Sequence, residues 1–106
     1  MDDGRIKPDI SAKGVAVYST ESSSDTAYGN KNGTSMATPG VTGGLALLME
    51  YQKKIHGAMN LLSSSYKAIM IHTADEAGTT AGPDYKFGWG VLNIFKSVEL
   101  MIRNKY

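Results

Sequence analysis

The sequence contains no cysteine, which excludes disulfides, thiolate nucleophiles and zinc ribbons in one step and leaves the redox compartment open. Histidine is nearly as scarce: only His56 and His72 are available for an imidazole acid, base or ligand. Charge of one sign is not in excess. The 11 Lys+Arg against 10 Asp+Glu leave a formal net charge of +1, too little field to gather a phosphate backbone or anionic lipid. No nucleic-acid partner is expected. No apolar segment behind a basic start follows Met1, so no signal peptide is read there. The longest uncharged stretch, residues 32–49, approaches the length of a membrane span. It is broken, however, by Asn32, Thr34, Ser35, Thr38, Pro39, Thr42 and four glycines, so no membrane partner is expected either.

What is present is ordinary for a globular chain. The 106 residues are 42% hydrophobic and 20% charged, enough for one domain at most and not for two. Two short extended pieces are expected at Ile6 to Ile10 and Val15 to Tyr18, with Pro8 disfavouring a paired position. Residues 21–33, rich in Ser, Asn and Gly, read as a surface loop. From Thr34 to about Ile55 the spacing of Ala37, Val41, Leu45 and Leu48 is helical. Thr34 is the expected N-cap and Gly57 the stop. Apolar Ala46, Leu47 and Met49 on the other faces suggest a helix enclosed by protein, and Gly40 with Gly44 suggests close backbone packing. A second helix is expected beyond Ser63 to Ser65 as caps, with Tyr66, Ile69, Met70 and Thr73 on one face. Residues 76–88 read as loop, followed by a short strand or hairpin around "FGWGVL". Asn93 is the expected cap of a last helix with the stripe Ile94, Phe95, Val98, Met101 and Ile102, and with Arg103 and Lys105 at its negative end.

Ser35, at the head of the long helix, is the candidate nucleophile. A serine hydroxyl is a weak nucleophile until a base within hydrogen-bond reach takes its proton. His56 lies 21 residues further along the same helix, roughly 30 Å away at 1.5 Å per residue, and is excluded as that base. His72 follows a chain reversal, so distance alone does not reject it. The segment Gly33-x-Ser35-x-Ala37 only approximates the G-x-S-x-G nucleophile elbow, and no aspartate separates Ser35 from His72. Other short motifs carry less. Ser64-x-x-Lys67 lacks the companion elements of penicillin-binding enzymes, Asn32-Gly33-Thr34 fits a glycosylation sequon, and Asp75, Glu76 and Asp84 lack the spacing of a calcium loop. No metal ligand set and no cofactor is assigned.

"NGTSMATPGVTGGLALL", residues 32–48, resembles the serine signature of the subtilases, the subtilisin-like serine proteases, with its G-T-S-M-[AS]-x-P pattern and small-residue helix. "KPDISAKG" resembles an upstream segment of that family, and "FGWGVLN" its G-x-G-x-[VIL]-[ND] close, in the style of bacterial members. The resemblance implies an α/β fragment of the subtilisin-like fold: a long buried central helix, two further helices and a few short strands, with residues 1–106 as the C-terminal third of the catalytic domain.

By the same resemblance Ser35 is the acylating nucleophile and its backbone amide an oxyanion-hole donor, while Asn32, Gly33 and Thr34 contact substrate and Lys31 and Asn32 flank the leaving-group side. In subtilisin the catalytic order is Asp, His, Ser. Neither a matching Asp nor any histidine precedes Ser35 here, so both are expected from an N-terminal part of the domain. The implied partners are a peptide or protein substrate and that N-terminal part, with secretion or the cell envelope as the location. Asp9 resembles a position near a weak cation site. Self-association is expected because Val41, Leu45 and Leu48 would lack their covering sheet. The alternative is a non-enzymatic remnant that acts as a peptide- or protein-interaction module.

Overall fold

Helix α1 spans Thr34–His56 and sets the frame of the molecule in a computed structural model that describes residues 3–57 and 61–104. It starts behind Gly33, whose φ of 147° is open to glycine, and stops at Gly57 with φ 70°. Thr34 is therefore the first helical residue rather than the cap, and no side chain caps this end. Pro39 cannot donate to the Ser35 carbonyl. The helix nevertheless continues through it, with the Thr38 and Thr42 hydroxyls donating to the carbonyls of Thr34 (3.0 Å) and Thr38 (3.1 Å).

Helix α2, Ser63–His72, and helix α3, Ile94–Asn104, complete a layer of three. The core takes Leu48 from α1, Tyr66, Ile69 and Met70 from α2, and Met101 from α3. Gly44 permits a close approach of α3 to α1, because a Cβ there would lie 2.6 Å from Ile94 Cδ1. Thr73 and Ser97 join α2 to α3 inside the core, their hydroxyls 2.7 Å apart. Thr73 also reaches the Ile69 carbonyl at 2.8 Å and Ser97 the Asn93 carbonyl at 3.1 Å. Two hydroxyl protons serve three contacts, so no more than two donate at once.

Several expectations about faces and caps are corrected. Helix α1 is covered along one stripe only: Leu48 is fully buried, with Val41 and Leu45 packed beside it. Leu47 is 58% exposed, and the Cβ positions of Gly40 and Gly43 face open space. The uncovered face is thus opposite to the one expected, because α2 and α3 occupy the stripe that periodicity marked. On α3, Ser97 and Met101 point inward while Phe95 is 73% exposed. No serine caps α2, whose N-cap position is Leu62. Asn93 does cap α3, its Oδ1 accepting from the Lys96 amide at 3.0 Å. Arg103 lies in the last turn of α3; Lys105 lies outside the described residues.

Strand β1, Val17–Thr20, pairs antiparallel with β2, Tyr28–Lys31, from Val17 opposite Lys31 to Thr20 opposite Tyr28. Strand β2 lies within the segment read as loop, since its paired residues carry no apolar alternation. What it has instead is Tyr28, whose ring stacks on Tyr18 with centroids 5.7 Å apart. Residues 6–10 form no strand; their successor Ser11 makes an isolated bridge to Val91, which also bridges Asp75. Among the described residues, three helices and a two-stranded sheet form a part of an α/β fold. Its radius of gyration is 15.9 Å, wider than the roughly 13 Å of a compact domain of this length. Among the described residues no helix is long and apolar enough to cross a membrane.

Candidate active site

The turn Asn32-Gly33 carries the chain from β2 into α1 and presents Ser35 on the first helical turn, exposed to solvent. The first amides of a helix have no intrahelical acceptor and carry part of the positive end of its dipole. Here no side chain takes their place, so the amino end next to Ser35 is available to a developing oxyanion. The Met36 amide is turned back to the Gly33 carbonyl at 3.0 Å.

Neither histidine joins Ser35. His56 ends α1, the whole helix away, and His72 ends α2 in an open groove with Leu61, Trp89 and Leu100. Among the described residues the Ser35 hydroxyl and both imidazoles make no hydrogen bond with one another, and no group of three or more His, Asp or Glu is placed to hold a metal ion.

A second segment holds the turn. The Gly33 amide donates to the Gly14 carbonyl at 2.7 Å, and the Ala16 amide donates to Asn32 Oδ1 at 2.7 Å. Ala16 has φ 49°, the one non-glycine residue with positive φ among those described. Sequence reading missed Ala16 altogether, for nothing in "KGVAVY" marks a residue whose backbone is bent by a contact 16 positions away.

Asp9 is not free for a cation. Its carboxylate binds the ammonium groups of Lys7, at 2.6 and 2.7 Å, and of Lys67, at 2.8 Å. Lys67 is thus an ion-pair partner rather than half of a Ser-x-x-Lys site. The hydrogen bond from Lys67, then that from Lys7, holds the Asp9 carboxyl below its usual 3.8. A carboxyl depressed in the folded state contributes stability above its unfolded pKa and loses it as the pH falls through the folded value. Lys67→Met should therefore cost on the order of 0.5 kcal/mol at pH 7, within the range of partly exposed ion pairs, and the deficit should shrink at an acid pH below the usual 3.8. Urea unfolding at both pH values measures it; a deficit of equal size at the two would contradict the ion pair as its source.

The model of the subtilase family, peptidase S8, matches residues 1–90. The minor extracellular protease Vpr of Bacillus subtilis (strain 168) is 45% identical over 58 residues, covering 51% of this chain and 7% of that protein. The extracellular serine protease of Serratia marcescens is 45% identical over 67 residues, 63% of this chain and 6% of its own length. Among solved structures, the Clostridium perfringens CspB protease superposes on 94% of this chain with a TM-score of 0.84 and 32% identity. That match takes up 21% of the clostridial chain, so the present chain spans a small part of each relative.

Proposed function

We propose, because this chain belongs to the subtilase family, that residues 1–106 are the C-terminal third of a serine endopeptidase domain and that Ser35 is its nucleophile. The observation that carries this reading is an exposed serine in the first turn of a 23-residue helix whose amino end no side chain caps. Ser35 Oγ attacks the carbonyl carbon of a peptide bond while its proton passes to a histidine contributed by the rest of the domain. The oxyanion that forms is held by the Ser35 amide and the helix end. The C–N bond then breaks, the amine departs with the proton, and water attacks the acyl-serine to release the acid and restore the hydroxyl. Gly33 and Thr34 border the substrate backbone. Gly33, lacking a side chain, lets that backbone come close.

The reading divides the catalytic set: the nucleophile is in this chain, and the aspartate and histidine are upstream. Secretion is supported by two relatives named as extracellular proteases. The 106-residue chain by itself should cleave a chromogenic peptide no faster than buffer. Turnover by the isolated chain that is lost in Ser35→Ala would refute the division.

The isolated chain should also self-associate. Leu47, Leu62, Phe95 and Ile102 are each more than half exposed, and apolar side chains left to water favour association where they meet. Light scattering at high concentration should give at least a dimer mass; a monomer mass there would refute it.

A further inference from the structure

We propose that Asn32 is a positioning residue that works through Ala16, clamping the turn that aims Ser35, rather than a side chain that binds substrate; the inference rests on Ser35 being the nucleophile. Asn32 Oδ1 is already engaged, accepting the Ala16 amide at 2.7 Å. Ala16 has φ 49°, a backbone that L-residues with a Cβ avoid and keep only where the surroundings impose it. One residue further the β1–β2 ladder begins with Val17 opposite Lys31. Two residues earlier the Gly14 carbonyl takes the Gly33 amide at 2.7 Å. A Cβ on Gly14 would lie 2.7 Å from the Gly33 carbonyl oxygen, so the strap formed by residues 14–16 lies flush on the turn.

The clamp has a purpose because the residue it restrains is a glycine. Gly33 stands at φ 147°, in a region other residues rarely enter, and an unrestrained glycine samples many conformations. Thr34 and Ser35 follow it directly. Fixing Asn32 and Gly33 to the strap fixes the direction of the Ser35 amide and hydroxyl relative to the substrate carbonyl. Without Asn32 Oδ1, Ala16 gains by relaxing to negative φ, and the strap moves off the turn. The cost then falls on the geometry of the reacting groups and so on kcat. A side chain that merely held substrate would show its loss in KM.

The test is a double-mutant cycle in the complete protease, with kcat and KM measured on a peptide p-nitroanilide. Asn32→Ala should lower kcat by about tenfold to a hundredfold, the scale of a small misplacement of reacting groups, with KM within about threefold. In an Ala16→Gly background, where φ 49° carries no penalty, the same substitution should cost less than about threefold. A loss confined to KM, or an equal loss in both backgrounds, overturns the clamp. Should Asn32→Ala fail to fold, Asn32→Asp keeps an acceptor oxygen at the same reach and should hold kcat within about threefold of the parent; a tenfold loss there overturns the clamp equally. Ser35→Ala assayed alongside separates the premises. Activity that survives it overturns the nucleophile and the clamp together, whereas activity lost in Ser35→Ala and untouched by Asn32→Ala overturns the clamp alone.

Discussion

Ser35→Ala in the complete protease should reduce turnover by about a millionfold while leaving substrate binding and the fold intact. That magnitude is carried over from subtilisin, a member of the same family in which losing the nucleophile costs about as much as losing the whole triad. The substitution removes one oxygen from an exposed position whose hydroxyl has no hydrogen-bond partner among the described residues, so unfolding should not supply the effect. The residue of activity left, some thousandfold or more above uncatalysed hydrolysis, belongs to the oxyanion site and substrate binding. Steady-state kinetics on a peptide substrate decide it: a variant within tenfold of the parent would remove Ser35 from the chemistry.

Gly88→Ala should be severely damaging for a single methyl, costing at least about 3 kcal/mol, at the upper end of single-substitution effects. Gly88 has φ 67°, and its Cβ would stand 2.0 Å from the Pro8 carbonyl oxygen. Both the added carbon and the obstacle are fixed to backbone, so neither side rotates away. Relief requires parting the 8–11 segment from 87–92, which is held by the Trp89 amide on the Asp9 carbonyl (3.2 Å), the Ser11 amide on Gly90 (2.9 Å) and the Leu92 amide on Ser11 (2.9 Å). Gly82 is the control: its φ is 94° but nothing stands within 4 Å of its Cβ position. Gly82→Ala should cost only the left-handed backbone penalty, about 1 kcal/mol. Urea midpoints compare them, and equal costs would show that the clash is absorbed.

The Gly88 contact also explains why distant stretches of sequence carry signatures together. "KPDIS" lies along "FGWGVL" through these backbone bonds, and "AKG" lies along "NGT" through Gly14 and Gly33. Each needs glycine where the other approaches. Although Thr34 is its first residue and not its cap, the extent of α1 was legible from local features, the helical spacing from Thr34 and the charges Glu50, Lys53 and Lys54 before Gly57. The same holds for the Asn93 cap. Strand β2 was not legible, since its register depends on Tyr18 and on ladder bonds to a strand that precedes it by ten residues or so. The covered stripe of α1 is the one that the spacing of Val41, Leu45 and Leu48 marked, but that the opposite face would stay open was hidden. Periodicity shows that a helix has an apolar face, while α2 and α3 decide which face meets protein, and here they leave Leu47 and Phe95 to solvent. At the candidate site, the place of Ser35 at a helix amino end was readable from "GTSM". The bond between Asn32 and Ala16 was not, because it joins residues 16 apart through a backbone angle that only the folded chain imposes.

The most direct measurement is covalent labelling of the complete protease with a fluorophosphonate, followed by mapping of the modified peptide. Such a probe reacts with a serine only when a base takes up its proton and an oxyanion site receives the phosphoryl oxygen. The account predicts a single adduct on Ser35, abolished in Ser35→Ala and absent from the isolated 106-residue chain. An active protease whose adduct maps to any other residue would contradict it.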